Sequence, residues 1–293
     1  MYLMKIRRIK NRCNLCMLCV RECVSGAWRV VDGQPSMVAP NLCNRCSHCV
    51  AVCPQAAIYH QALDYFQVKE TDPDQMKPSV YHDIIRSRRS IRQFKHKAVP
   101  QDAIQDLLDL ASHSPTASNR QHVAYTVISQ KKILDDISNS VFGFSKGLYM
   151  KTRKGLGKQV YRILKTLFPD SISRYLDPMD YYIRESEKGR DYILHGAPVL
   201  ILVHGPKGAS FVNENCNIAA TNIMNYAQSM SLGTCYIGFL TLALKFSGAL
   251  RKKARVPKGQ RVYAALVLGY PAYKHGFTAS RKRPVISWVH GHE

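Results

Sequence analysis

Eight cysteines fall within the first 53 residues, in two runs of one form: CNLCMLCVREC over residues 13–23 and CNRCSHCVAVC over residues 43–53. Each run reads C-x2-C-x2-C-x3-C. Three thiolates at the x2 spacing wrap one iron–sulfur cluster, while the fourth sits too far along the chain to close the same cube and is free to reach another. The two runs therefore trade their last ligand. Cys13, Cys16, Cys19 and Cys53 are expected to hold one 4Fe-4S cluster, and Cys43, Cys46, Cys49 and Cys23 the other. Zinc fits less well, because a tetrahedral site takes two C-x2-C pairs and leaves the third cysteine idle.

Over about the first 60 residues this pattern resembles bacterial two-cluster ferredoxins. The chain departs from them at Val24, where a proline would follow the fourth cysteine; Pro54 keeps it. Proline fixes φ and removes a donor, so the exchange bears on backbone rigidity and on hydrogen bonds to sulfur rather than on ligation. His48, inside the second run, reads as a solvent-facing loop residue. Cys216 and Cys235 lie outside the pattern, and Cys216 reads as a small buried hydrophobe on a helix face.

A second chemistry is carried by RSRRSIRQF, residues 86–94, which gathers arginines around Ser90. Guanidiniums and a hydroxyl at the end of a helix suit a phosphate monoester, since arginine makes paired, charge-assisted hydrogen bonds. SPTASNRQH follows at 114–122, GTCYIGF at 233–239, VLGYP at 267–271 and SRKRP at 280–284. In that order and spacing these segments resemble the FMN-dependent nitroreductase family, over about residues 81–293.

The resemblance implies roles residue by residue. Arg88, Arg89, Ser90 and Arg92 match the phosphate- and ribityl-binding segment, and Arg281 and Arg283 the C-terminal basic pair that also reaches the phosphate. Pro115, Thr116, Ala117, Ser118 and Asn119 match the segment that lines the flavin from the partner subunit. Tyr236, Ile237 and Gly238 match the segment whose backbone faces the flavin's reactive nitrogen and pyrimidine edge. Arg120 and His122 replace a commoner small residue and proline around Gln121, which bears on the shape of the substrate pocket. The implied fold is an antiparallel sheet flanked by helices, in an intertwined homodimer with two FMN at its interface. No side chain is expected to act as a nucleophile.

The elements that must position these residues follow from periodicity. Residues 1–62 are cysteine-dense and short of any periodic pattern, a small domain built around its metal. Residues 63–80 carry two prolines and read as a linker, and residues 81–293 as the flavin-binding domain. YHDIIRSRRS opens a helix. Ile104, Leu107, Leu108 and Ala111 fall at i, i+3, i+4 and i+7 on a second, and Cys216, Ala219, Ala220, Ile223, Met224 and Ala227 trace a third that stops at Gly233 as its C-terminal cap. Tyr125–Ser129, Val199–Val203 and Val262–Leu268 are runs of strand length. Val160, Ile163, Leu164, Leu167 and Phe168 predict a packed helix within a Tyr-, Lys- and Gly-rich stretch, 141–191, whose other reading is a lid with tyrosines stacking on a planar substrate. The class is α+β.

Composition narrows the function classes. The longest uninterrupted apolar run, Ala197–Val203, is far short of the roughly 20 residues that span a bilayer. The basic N-terminus lacks the apolar core of a secretory signal, which points to the cytoplasm, where thiols stay reduced. Lys and Arg number 42 against 20 Asp and Glu, a formal charge of +22. Two clusters and a flavin phosphate would reduce it to about +16. The basic residues are spread along the chain without a helix-turn-helix, zinc-finger or RNP signature, so nucleic acid is the weaker explanation. An acidic ferredoxin or flavodoxin donor, or an anionic membrane surface, explains the charge by long-range attraction.

The expected function is an oxidoreductase that carries electrons from such a donor through two clusters to FMN. From there they pass to a small organic acceptor such as a nitroaromatic, quinone, activated alkene or halogenated compound. The alternative is an electron-transfer module that reduces a partner protein; a basic nucleic-acid-binding protein with structural clusters is the third reading. No G-x-G-x-x-G unit follows a strand, so a separate nicotinamide site is not expected.

Overall fold

A computed structural model describes residues 5–169 and 176–290; residues 170–175 of the 141–191 stretch lie outside the described residues. The chain divides into two compact units, one of residues 1–77 with 115–121, the other of residues 78–114 with 122–293.

In the first unit the sequence repeat becomes a structural repeat. Strand β1 (Ile6–Arg8) pairs antiparallel with β4 (Ile58–His60), and β2 (Trp28–Val31) with β3 (Gln34–Met37). Between them lie two single-turn helices, α1 (Leu18–Arg21) and α2 (His48–Ala51). Leu15 and Arg45, then Met17 and Ser47, take left-handed backbone at positions thirty residues apart. Asn14 and Asn44 each accept the amide N–H of the second cysteine in their own run, at 3.3 Å. The same turn thus recurs in both C-x2-C-x2-C segments. The apolar core is small: Ile6, Trp28 and Ile58 pack with Cys19 and Cys49.

The second unit is built on an antiparallel sheet of order β5-β6-β8-β7: β5 Ala124–Ile128, β6 Val199–Pro206, β7 Gly233–Tyr236 and β8 Gln260–Gly269. Leu200 and Leu202 of β6 enter one core layer with Ala265 and Val267 of β8; Val199, Ile201 and Val203 enter the other with Ala264, Leu266 and Leu268. Both faces are therefore covered, which is why β6 reads as a continuous apolar run instead of an alternating one. Helices α4 (Gln101–Ser112) and α8 (Val212–Ser229) supply one layer, while α5 (Lys131–Thr152), α9 (Gly238–Phe246) and α10 (Gly248–Lys253) supply the other. Helix α3 (Pro78–Ser87) precedes them, beginning inside the expected linker. Helices α6 (Gly155–Leu167) and α7 (Met179–Glu187) complete the unit.

Two expectations are corrected. Gly233 does not cap α8. The helix closes at Ser231, whose φ is 58°, with Ser231 N–H donating to Gln228 and Leu232 N–H to Ala227 at 2.8 Å, a Schellman closure made by a serine. Gly233 instead opens β7, where a Cβ would meet Ile91 Cγ1 at 2.5 Å. The predicted α6 forms, but Val160, Ile163 and Leu167 of its apolar face are exposed. Polar contacts hold the helix from its other side, Lys165 pairing with Asp177 at 2.8 Å while the Tyr161 hydroxyl donates to the same carboxylate.

Candidate functional site

Cys23, Cys43, Cys46 and Cys49 line one cavity of the first unit together with Trp28 and His60. Cys19 is within electrostatic reach of Cys13 and Cys53. Among the described residues no three Cys, His, Asp or Glu side chains meet closely enough to hold a single metal ion.

The surroundings of the thiols differ. Burial pushes the Cys49 thiol up to about 11, against the neighbouring Trp28 indole, which favours the thiolate; Cys43, Cys46 and Cys23 raise it further. Burial also raises Cys19, reinforced by Cys13 and Cys53. At Cys23 burial is outweighed by donors, the Ser25 hydroxyl and the backbone of Trp28, Ala27 and Ser25, and the thiol is lowered. Val24 is 85% exposed, and its N–H donates to Glu22 at 3.0 Å, a bond that proline could not make. His48 faces solvent as expected, 3.8 Å from Glu22. Cys216 is fully buried, which pushes its thiol up to about 12.

The Trp28 indole N–H is buried against the Cys49 thiol, without a hydrogen bond of normal geometry, and Trp28 lines the four-thiol cavity, where cluster sulfur would accept that donor.

In the second unit, residues 88–95 are stapled along the sheet. Ile91 N–H donates to Thr234 at 2.9 Å, Lys95 N–H to Tyr270 at 2.8 Å, and Ala272 N–H returns to Gln93 at 2.9 Å. This brings Ser90, Arg92 and Arg88 around Cys235 on β7: burial raises that thiol, and Arg92, Ser90 and Arg88 oppose the rise. Arg89 reaches elsewhere, to the main-chain oxygen of Phe277.

Beyond this staple opens a cleft of 1210 Å³, bordered by Arg92, by Tyr236, Ile237 and Gly238, and by Tyr182 and Tyr192. A Cβ placed on Gly238 would meet nothing within 4 Å, so the cleft has free space against that backbone. Arg92 thus lies on the same cleft as the open backbone of Tyr236–Gly238. The rings of Tyr182 and Tyr192 stand 4.7 Å apart, so two tyrosines from the stretch read as a lid do border the cleft.

Arg281 and Arg283 lie in an exposed segment without regular structure, where Arg281 donates to the adjacent Ser280 oxygen at 3.0 Å. Pro115, Thr116, Ala117, Ser118 and Asn119 belong to the first unit. There Asn119 donates to the main-chain oxygens of Asn44 and Arg45, between two cysteines of the second run.

Sequence reasoning missed His195 and Asp191. Asp191 accepts the N–H groups of Ile193, Leu194 and Gly196 at 2.8–3.1 Å, which turns the loop so that His195, with φ 58°, borders the cleft. Burial lowers the His195 pKa against the opposing pull of Asp191. No spacing signal announces them.

Comparison with known proteins agrees with this geometry. Residues 85–270 match the Nitroreductase family and residues 12–58 the 4Fe-4S dicluster domain. A 4-nitrobenzoate reductase of Nocardioides sp. (strain LMS-CY) is 26% identical over 226 residues, 69% of this chain and 85% of that one. Rat iodotyrosine deiodinase 1 is 24% identical over 67% of this chain and 64% of its own length. Among solved structures, an FMN-bound nitroreductase of Desulfitobacterium hafniense DCB-2 superposes with a TM-score of 0.54 at 20% identity, covering 73% of this chain and all of that one, a likeness of fold. The chain belongs to the nitroreductase family and is an oxidoreductase of that family with a ferredoxin-type 4Fe-4S domain ahead of it.

Proposed function

We propose that this chain reduces a small organic acceptor on FMN with electrons that arrive one at a time through two 4Fe-4S clusters. Cys13, Cys16, Cys19 and Cys53 hold one cluster, and Cys43, Cys46, Cys49 and Cys23 the other. Arg88, Ser90 and Arg92 hold the flavin phosphate, and the backbone of Tyr236–Gly238 borders the ring. When bound, the clusters pass single electrons and the flavin collects two and delivers them as a hydride.

The observation that carries this reading is the 1210 Å³ cleft beside Arg92 and Gly238. Pockets for one ligand run to about 300–1,000 Å³, so this volume supports a flavin together with an acceptor. It also favours an enzyme over a module that hands electrons to a partner protein, which would need no room beside its flavin. Tyr182 and Tyr192 favour a planar acceptor, a nitroaromatic or quinone.

The donor is an acidic one-electron protein, a ferredoxin or flavodoxin, drawn by the +22 charge. The working assembly is a homodimer, supported by the open α6 face and by the exposed apolar residues Phe277, Val285, Trp288 and Val289 of the C-terminal segment. The domains are residues 1–62 for the clusters and 81–293 for the flavin, joined by 63–80. The site of action is the cytoplasm, since thiolate ligands persist in a reducing compartment.

Anaerobic reduction by a ferredoxin, followed by absorbance and EPR and then by a panel of acceptors, tests the proposal. Cluster signals, then flavin bleaching, then reoxidation by at least one acceptor are expected. Iron-replete protein without FMN, or reduced flavin that no acceptor reoxidises, would overturn it.

A further inference from the structure

We infer that His60 and Trp28 are positioning residues that raise the reduction potential of the cluster held by Cys23, Cys43, Cys46 and Cys49 above that of the other, making it the cluster from which electrons leave. The inference rests on the ligation proposed above.

The internal repeat supplies its own control. Positions thirty residues apart occupy equivalent places in the two halves, as the paired left-handed residues and paired asparagine bonds demonstrate. At the second-run cavity stand two buried side-chain donors. His60, 1% exposed, has Nε2 at 3.5 Å from Cys43 Sγ. The Ala62 N–H donates to His60 Nδ1 at 3.2 Å, so Nδ1 is the acceptor and the ring proton sits on Nε2, aimed at sulfur. Trp28, which lines the same cavity, contributes a buried indole N–H set against the Cys49 thiol. Thirty residues from His60 stands Val30, and thirty from Trp28 stands Ile58. Neither carries a side-chain donor.

Backbone donors add to the second-run set, where the Arg45 N–H also reaches Cys43 Sγ at 3.4 Å, and are otherwise matched between the halves. Cys53 receives Ala57 N–H at 3.2 Å, and Ala27 serves Cys23 in the equivalent way. Hydrogen bonds to cluster sulfur stabilise the reduced, more negative state and raise the potential. Glu22, which also lines the cavity, opposes this, but its side chain is half exposed and faces His48, so solvent screens it more than two donors buried at contact.

Electrons that enter at the first-run cluster therefore settle on the second, the one of higher potential, before leaving. Each transfer moves one electron with no bond made or broken; two transfers and two solvent protons serve each two-electron reduction of an acceptor.

The test is an EPR-monitored redox titration of the full chain at one pH. Two cluster midpoints are expected, and Cys46→Ala should remove the higher. Trp28→Phe and His60→Leu should each lower the higher midpoint and leave the other unmoved, while His60→Gln, which keeps a donor, should recover part of the shift. Unmoved midpoints in both variants, movement of the lower one, or loss of iron from both would overturn the inference. Absence of two cluster signals from the unaltered chain would instead overturn the ligation on which it rests.

Discussion

The Asn119 side-chain nitrogen donates to the main-chain oxygens of Asn44, at 3.1 Å, and Arg45, at 2.9 Å. Gln121 in turn donates to Asn119 Oδ1 at 3.0 Å, which fixes the carboxamide's orientation. A residue 74 and 75 positions downstream of its two partners thus holds the loop between two cysteines of the second run. Asn119→Ala should free that loop by roughly 1–2 kcal/mol, the worth of two partly exposed hydrogen bonds. Hydrogen exchange should therefore quicken by about tenfold at residues 43–47 and stay unchanged at 13–17. Equal protection in both proteins would contradict the clamp.

Gly238 offers a different separation, between folding and flavin binding. Its missing Cβ faces open space, and its φ is not in the left-handed region. Gly238→Val should leave the melting temperature of flavin-free protein within a few degrees and weaken FMN binding by about tenfold or more, since the added methyls occupy the ring's place. Flavin fluorescence on dilution measures the second quantity. Unchanged FMN affinity would move the flavin away from Tyr236–Gly238.

His204 predicts a pH dependence of stability. It lies buried in β6, with Nε2 at 2.9 Å from the Thr126 hydroxyl and Nδ1 at 3.3 Å from Gln260 Oε1. Burial lowers its pKa, with Gln260 and the Tyr125 backbone opposing. The unfolded chain therefore binds the proton more tightly than the folded one. Stability from this residue is complete above the unfolded value of about 6.5 and is lost as pH falls below it. His204→Asn should lower the melting temperature near neutrality and flatten its decline between about pH 6.5 and 5. An equally steep acid decline in the variant would assign that decline to another group.

What was legible in the sequence is what is local. The C-x2-C-x2-C-x3-C spacing is read off a dozen residues, and the structure gathers Cys23 with Cys43, Cys46 and Cys49. The α4 and α8 faces follow from a period of 3.6, and three of the four sheet strands of the flavin-binding unit from short apolar runs of strand length. Gly233 misled because glycine is the usual closing residue, whereas here a serine takes the left-handed turn and tight packing against Ile91 claims the glycine. The Asp191 turn and the Asn119 clamp join residues that no window contains together. Trp28 and His60 were readable in principle: aligning the repeat on itself sets them against Ile58 and Val30.

The wire itself is tested most directly by Cys43→Ala, followed by stopped-flow absorbance under anaerobic conditions. Electrons from a reduced ferredoxin should bleach the flavin of the unaltered chain, and in the variant that bleaching should be lost. Flavin reduced chemically in the variant should still be reoxidised by an acceptor at the unaltered rate. Equal loss of both steps, or flavin bleaching by ferredoxin at full speed without Cys43, would contradict a path through the clusters.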